Sequence, residues 1–148
     1  MTPDQRIALR NQLKRDEGSG ITKNGHFMPY TCTSGKLTIG WGHNITDNGI
    51  KPKFADLILD DDMDDAAREM VTRWPWTEAL DPARQSVLIN MLFNIGGARL
   101  NGFRKMLMAL QKKDYEGAAV EMLASAWAEQ VGDRSLRLAE QMRRGWYV

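Results

Sequence analysis

The stretch "YTCTSGKLTIGWGH", residues 30–43, contains the signals of a β-hairpin together with the single cysteine of the chain. Cys32 begins the tetrapeptide Cys-Thr-Ser-Gly, which suits a type I turn because glycine is favoured at its last position. A run of β-formers around Thr38 follows, and the stretch ends at His43. Since turns lie at the surface, this position favours an accessible thiol, although a lone cysteine is usually a small buried apolar group.

The residues before this stretch predict a second hairpin and a first helix. The tetrapeptide "KNGH" at 23–26 places Asn24-Gly25 where a type I′ turn needs positive φ angles. Two turns predict a small antiparallel sheet of about three strands. At the start of the chain, Thr2 suits an N-cap, Pro3 the first helical position, and Gln5 completes a capping box. An amphipathic helix is therefore predicted over about 2–15.

The residues after the hairpins are predicted to be helical. Pro52 begins a long apolar-periodic segment to about 73, and Asp81-Pro82 begins a strongly apolar helix that Gly96-Gly97 ends. Shorter helices are predicted near 102–112, 114–128 and 133–144, the second capped by Asp114.

The fold class that follows is α+β, mainly α, in a single domain over 1–148. A β-containing lobe covers about 16–60, and a larger helical lobe covers about 74–148 together with the helix at 2–15. The long helix joins the lobes, and a cleft between two lobes is a common ligand site.

Composition and charge narrow the kinds of partner and compartment that we expect for the chain. Twenty basic and nineteen acidic residues give a net charge of +1, which disfavours a protein that binds nucleic acid through its phosphates. One cysteine makes no internal disulfide. The first residues contain no apolar run of signal-peptide or membrane-anchor length, so we expect accumulation in the cytoplasm and no stable membrane insertion.

Each residue that could carry chemistry also has an ordinary structural interpretation. Glu17 ends the first helix beside Gly18, where partial burial would raise the pKa of its carboxyl and suit it to proton donation. A glutamate at a helix end is more commonly a solvated surface residue. Thr38 is by default a β-former, and His43 a hydrogen-bonding group within the sheet.

The long helix contains a run of acidic residues that could be mistaken for a metal site. Successive helical positions point about 100° apart, so these carboxylates do not converge on one ion. We expect a solvated acidic face and no metal. The run comprises Asp60, Asp61, Asp62, Asp64 and Asp65.

Taken together, four segments resemble the lysozymes (endolysins) of tailed bacteriophages of the T-even type, in glycoside hydrolase family 24. The segments are "RDEG" at 15–18, "YTCTSGKLTIGWGH" at 30–43, "LDPARQSVLINMLFNIGGARLNGF" at 80–103 and "LQKKDYEGAAVEMLASAW" at 110–127. The resemblance covers nearly the whole chain in order. It implies a lysozyme-like fold and cleavage of the β-1,4 bond between N-acetylmuramic acid and N-acetylglucosamine in peptidoglycan, without a cofactor.

The resemblance also implies catalytic roles. Glu17 matches the family's proton donor, and Thr38 matches the threonine that helps to hold the attacking water. Cys32 falls where many members carry an aspartate and some carry cysteine, so the chain is interpreted as a Cys-for-Asp variant. Inversion is implied, and a direct thiolate nucleophile with retention is the alternative. A thiol with an ordinary pKa near 8.5 is mostly neutral at pH 7 and stabilises positive charge less well than aspartate does.

Supporting residues carry over in the same way. His43 and Asp62 match an ion pair between the sheet and the long helix. Arg134 matches the arginine that orients the catalytic glutamate, and Phe93 matches an aromatic of the cleft wall that contacts substrate. A further acidic–basic pair, Asp16 with Arg137, ties the first helix to the last lobe.

The chain departs from the family pattern in two places. The stretch 18–29 is longer than in the T-even enzyme. Several cleft-wall positions differ, with Asn44, Met106 and Glu121 among them, so subsite contacts are not carried over there.

The implied partner is the glycan strand of peptidoglycan, acted on by a monomer. The enzyme would wait in the host cytoplasm and reach the periplasm and wall at lysis through a separate holin-type pore. A lytic transglycosylase, which cuts the same bond and leaves a 1,6-anhydromuramic end, is the enzymatic alternative. A non-catalytic wall-binding module is the alternative from another class.

Overall fold

The computed structural model describes residues 1–18 and 20–148. The chain divides into two compact units, Met1–Asp56 and Leu57–Val148. Helices account for most of the chain, and the strands are short and confined to the first unit. The α+β, mainly α class predicted from the sequence is confirmed.

The first unit begins with the helix α1, Pro3–Asp16. The Thr2 hydroxyl accepts a hydrogen bond from the Gln5 amide, and the Gln5 side chain accepts one from the Thr2 amide. This is the predicted capping box, which satisfies two amides that a helix otherwise leaves unpaired at its start. None of the α1 side chains is buried.

Two antiparallel sheets follow where a single sheet of about three strands was predicted. The strands β1 (Ile21–Lys23) and β2 (His26–Met28) form a two-stranded hairpin. The strands β3 (Tyr30–Thr31), β4 (Leu37–Ile39) and β5 (His43–Asn44) form a separate sheet in that order. Pro29, between β2 and β3, has no N–H to donate, so the ladder does not continue from one sheet into the other.

Both hairpin turns are those that the sequence predicts. Asn24 (φ 51°) and Gly25 (φ 79°) take the positive φ angles of a type I′ turn between β1 and β2. In the turn between β3 and β4, the Gly35 amide donates to the Cys32 carbonyl at 2.8 Å. A short helix α2, Ile45–Asn48, then packs against β4.

The long helix α3, Pro52–Arg73, runs from the first unit into the second, as predicted. Its buried side chains, Ala66 and Met70, lie in its second half. The predicted assignment of α1 to the helical lobe stays a prediction.

The second unit is helical. A 3-10 helix, Pro75–Ala79, precedes five helices. They are α4 (Pro82–Leu100), α5 (Arg104–Gln111), α6 (Tyr115–Leu123), α7 (Ala126–Val131) and α8 (Asp133–Arg144). Their fully buried side chains include Val87, Leu88, Met91, Leu100, Met106, Leu110, Met122 and Met142.

Two helix ends differ from the prediction. The helix expected over 114–128 is two helices, because the Ser125 hydroxyl accepts a hydrogen bond from the Ala128 amide and starts α7. Gly96 interrupts α4 with φ 75° and ψ 160°, and one more helical segment continues to Leu100. Met106, one of the cleft-wall departures, is fully buried in the core.

Within the described ranges 1–18 and 20–148, none of the helices has the combined length and apolar character that crossing a bilayer requires.

Candidate active site

The turn between β3 and β4 fixes the backbone on both sides of Cys32. Besides the bond from Gly35, the Cys32 amide donates to the Lys36 carbonyl at 2.9 Å. Gly35 has φ +77°, a left-handed conformation that suits glycine. The side chain of Cys32 is half-buried. The predicted accessible thiol is therefore held in a closed, hydrogen-bonded turn.

The Cys32 thiol lies in a set of hydrogen-bonding groups. Its Sγ is 3.0 Å from the Ser34 Oγ. This hydroxyl, followed by the backbone groups of Lys36 and Ser34, lowers the pKa of the thiol to about 7, against an opposing effect of burial. Hydrogen bonds to sulfur favour the charged form and so lower the pKa. The thiol is about half ionised at neutral pH, unlike the mostly neutral thiol that an ordinary pKa implies.

Thr38 lies beside this thiol. Its side chain is 4 % exposed, and its hydroxyl donates to the Lys36 carbonyl at 3.1 Å. The Thr38 side chain also lowers the pKa of Cys32, with a smaller effect than the Ser34 and Lys36 groups have. The structure therefore brings together two of the three predicted catalytic side chains, Cys32 and Thr38.

Glu17 caps the C-terminal end of α1, with its amide donating to the Leu13 carbonyl at 2.9 Å. Its carboxylate lies against Gly42, since a Cβ placed on that glycine would lie 3.1 Å from the Glu17 Oε2. One turn earlier in α1, the Lys14 Nζ lies 4.1 Å from the centre of the Trp41 ring. The end of α1 is thus held against the turn between β4 and β5.

Of the two interpretations of Glu17, the structure agrees with the solvated helix-end residue and not with the half-buried carboxyl. The side chain is exposed in the structure. An exposed carboxyl in this position is accessible to a substrate.

His43 is held within the first unit. Its Nε2 lies 2.6 Å from the Gly49 carbonyl oxygen, to which a protonated Nε2 donates. Asp62 is an exposed residue of α3, on the second unit's side of the division. Both pairs carried over from the family, His43 with Asp62 and Asp16 with Arg137, stay predictions.

Two other predicted residues meet in the second unit. Phe93 and Arg134 line a groove of about 490 Å³, and the Phe93 side chain is 50 % exposed. Asn90, one helical turn before Phe93, accepts hydrogen bonds on its Oδ1 from the Arg134 Nε at 3.0 Å and a terminal nitrogen at 2.7 Å. The two hydrogen bonds to this one oxygen fix the orientation of the guanidinium.

Three residues of these sites were missed from the sequence. Asn90 could have been found by its helical spacing from Phe93, since positions three apart share a face. Ser34 could have been found from its place two residues after Cys32 in a turn. Gly42 carried only the general signal of glycine in a turn, and its contact with Glu17 depends on how α1 packs.

In the part of the chain that the structure describes, the acidic and histidine side chains form no group able to hold a metal ion.

The described elements form a lysozyme-like fold, in which a region of small antiparallel sheets leads through one long helix into a helical unit. The phage lysozyme family model matches residues 24–145. The chain belongs to the phage lysozyme family. It is a glycoside hydrolase, a lysozyme of muramidase type, and its family acts on peptidoglycan.

Two similar proteins come from Dictyostelium discoideum. "Probable T4-type lysozyme 2" is 26% identical over 93% of this chain and 95% of its own length. "Probable T4-type lysozyme 1" is 27% identical over the same shares. The similarity extends over both units, so neither unit is an addition to the family pattern.

Proposed function

We propose that this lysozyme is a phage endolysin of glycoside hydrolase family 24. It hydrolyses the β-1,4 bond between N-acetylmuramic acid and N-acetylglucosamine, weakens the host wall and releases phage progeny. It works as a monomer without a cofactor. It waits in the host cytoplasm and reaches the periplasm when a separate holin-type pore opens.

In this proposal the three catalytic residues divide the reaction between them. Glu17 donates a proton to the glycosidic oxygen as the bond breaks, and Cys32 with Thr38 holds the water that attacks the anomeric carbon. A thiolate at Cys32 also opposes the positive charge that develops on the sugar ring, as the aspartate of other family members does. The product has the inverted anomeric configuration.

The observation that carries the proposal is the position of Cys32 and Thr38 in one hairpin, with the Cys32 sulfur 3.0 Å from the Ser34 hydroxyl and its pKa lowered to about 7. An ionised sulfur beside a hydroxyl offers an acceptor and a donor to one water molecule.

The supporting residues act on position. Arg134, fixed by Asn90 in the second unit, orients the Glu17 carboxylate, and Phe93 contacts the glycan. His43 and Asp62 pair to hold the sheet to the long helix.

Product analysis tests the reaction. Purified murein digested by the enzyme should give muropeptides with reducing N-acetylmuramic acid ends, and the anomer formed first should be inverted. Products 18 mass units lighter, the loss of one water in a 1,6-anhydro ring, would identify a lytic transglycosylase. Murein binding without release of soluble fragments would identify a wall-binding module.

Glu17→Gln tests the proton donor. The change should lower turnover by a factor of about 10² to 10⁴, because the amide cannot donate the proton, while the unfolding temperature stays equal or rises. The measurement is the rate of murein solubilisation beside a thermal melt. Turnover above a tenth of the wild-type rate would remove Glu17 from this role.

Lysis of living cells tests the endolysin role. Cells that express the chain should lyse when a holin-type pore is opened and stay intact when it is not. Lysis without the pore would contradict the proposed route to the wall.

A further inference from the structure

We propose that Ser34 is a positioning residue for the reaction, whose hydroxyl donates a hydrogen bond to the Cys32 sulfur and keeps that sulfur ionised and fixed in place. The proposal rests on the catalytic role proposed above for Cys32. It assigns a task to a side chain that the family comparison leaves without one.

The geometry of the turn brings the two side chains together. Cys32 and Ser34 are the first and third residues of a turn closed by the 2.8 Å bond from Gly35 and the 2.9 Å bond to Lys36. The Ser34 Oγ lies 3.0 Å from the Cys32 Sγ. Two backbone bonds therefore fix the backbone positions from which the two side chains meet.

The direction of the hydrogen bond depends on the charge of the sulfur, since either atom can donate when the thiol is neutral. A thiolate has lone pairs and no proton, so the hydroxyl must donate to it. Bonds to an ionised acceptor are stronger than bonds to a neutral one, so the contact favours the thiolate over the thiol. Among the groups that lower the pKa of Cys32, the Ser34 side chain has the largest effect.

Charged neighbours do not account for the ionised sulfur. The ionisable side chains of the sheet and of α2, which packs against β4, are Tyr30, Lys36, His43 and Asp47. Those of α1 that contact the turn between β4 and β5 are Lys14, which lies over the Trp41 ring, and Glu17, which lies against Gly42. The Lys36 Nζ pairs with the Asp47 carboxylate at 2.9 Å, so its charge is largely compensated. His43 directs its Nε2 to the Gly49 carbonyl. The uncharged Ser34 hydroxyl has the largest effect in lowering the thiol pKa, ahead of the backbone groups of Lys36 and Ser34.

This arrangement compensates for the chemistry of the substitution at position 32. A carboxylate is ionised at neutral pH without help, whereas a thiol in water is not. A serine two residues after the cysteine restores the negative charge that an aspartate would supply. Ser34 thus allows Cys32 to take the aspartate's place.

Titration of the thiol tests the contact directly. The rate of alkylation by iodoacetamide, measured against pH on the folded protein, should show a midpoint near pH 7 in the wild type. Ser34→Ala and Ser34→Gly should each raise this midpoint by roughly one pH unit. Ser34→Thr, which keeps the hydroxyl, should restore it. Thr33→Ala, which removes the neighbouring hydroxyl of the same turn, is the matched control and should leave it unchanged.

Murein turnover against pH, measured on the same variants, tests the effect on the reaction. In Ser34→Ala the acid limb of the pH profile should shift to higher pH together with the thiol midpoint. The profiles of Ser34→Thr and Thr33→Ala should follow that of the wild type. A thiol midpoint that stays near 7 in both Ser34→Ala and Ser34→Gly would overturn the proposal whatever the activity.

A thiol midpoint that moves without the acid limb would also overturn the role of Ser34 in the reaction. Cys32→Ala then distinguishes a failure of the Ser34 role from a failure of the proposed catalytic role of Cys32. Full activity in Cys32→Ala would mean that the proposed catalytic role of the thiol itself has failed.

Discussion

The thiol of Cys32 is half-buried and hydrogen-bonded in a turn, so a change of this side chain alters chemistry more than packing. Cys32→Asp should fold normally and keep most of the wild-type activity, because a carboxylate there reproduces the commoner family pattern. Cys32→Ala should lose roughly 100-fold or more, because it neither holds water nor opposes ring charge. Murein turnover measures the activity of both variants against the wild type, and thermal melts measure their stability. Severe destabilisation by aspartate would instead identify a core thiol.

Gly42 and Gly40 form a matched pair for testing how Glu17 is positioned. Both have positive φ, so alanine at either position costs about 1 kcal/mol or more of backbone strain. A Cβ at Gly42 would meet the Glu17 carboxylate at 3.1 Å, whereas a Cβ at Gly40 meets nothing within 4 Å. Gly42→Ala should therefore lose roughly ten-fold more activity than Gly40→Ala, through a displacement of the carboxylate that Gly40→Ala does not cause.

Turnover and unfolding temperature, measured together on Gly42→Ala and Gly40→Ala, separate strain from positioning. Both variants should melt at similar temperatures. Equal activities would mean that the contact between Gly42 and Glu17 has no part in placing the proton donor.

At the scale of elements, the start of α4 is held by two residues. The Asp81 carboxylate accepts from the Arg84 amide at 3.0 Å and from its guanidinium at 2.6 Å. Arg84 also donates to the carbonyls of Met142 and Arg143 near the end of α8, at 2.7 and 2.6 Å. A single cap thus joins the first helical turn of α4 to the last turn of α8.

The pH dependence of this cap follows from the pKa of Asp81. Burial opposes ionisation, but the hydrogen bonds and charge of Arg84 outweigh it and lower the pKa. A lowered folded-state pKa means that the stabilisation is fully present above the unfolded value, near 3.9, and is lost as pH falls through the folded value. Asp81→Asn keeps the cap and removes the charge, so its cost should be largest at pH 7 and fade in acid.

Asp81→Ala removes the cap as well. It should cost roughly 1–2 kcal/mol at pH 7 and retain part of that cost in acid, where a protonated aspartic acid still caps the helix. Urea unfolding of wild type and both variants at pH 7, 4 and 2.5 gives the comparison. A cost for Asp81→Asn that does not change with pH would contradict the charge pairing.

The elements that the sequence predicted correctly are those set by local signals. Asn24-Gly25 determines a turn type, and Asp81 and Asp114 determine helix starts, through contacts three residues away or fewer. Arg84 was not predicted to join α4 to α8, because its partners are nearly sixty positions away. The break at Ser125 was missed because serine suits a cap as well as a tolerated helical position.

In the candidate site, too, features set by local sequence were predicted, and features that depend on contacts made in the folded chain were not. The positions of Cys32 and Thr38 followed from the hairpin and the family pattern, and the structure places both residues in the hairpin of β3 and β4. The lowered pKa of Cys32 was not foreseen, because it depends on the Ser34 hydroxyl and on backbone groups that only the closed turn orients. The exposure of Glu17 likewise depends on which residue α1 meets.

At the scale of the whole molecule, apolar burial is unevenly distributed. The buried apolar core consists of side chains from Ala66 to Met142, all in the second unit. Among the described residues of the first unit, Thr38 is the one buried side chain. Since the burial of apolar surface is the main stabilising contribution to folding, the first unit should open locally at a lower free energy than the second.

Native-state hydrogen exchange measures this difference. Amides of β4 and β5 should exchange through openings at least about 1.4 kcal/mol less costly than those of α4, α6 and α8, a tenfold difference in equilibrium constant. Leu88→Ala provides the decisive variant, because Leu88 is fully buried in the second unit. It should lower the exchange free energies of α4, α6 and α8 by roughly 2–5 kcal/mol.

The same variant should leave β4 and β5 unchanged as long as their local opening remains less costly than unfolding of the second unit. Mass spectrometry or NMR at several low denaturant concentrations resolves the two groups of amides. Equal exchange free energies in both units, falling together in Leu88→Ala, would show that the chain unfolds as one cooperative body. The uneven core would then not determine how the first unit opens.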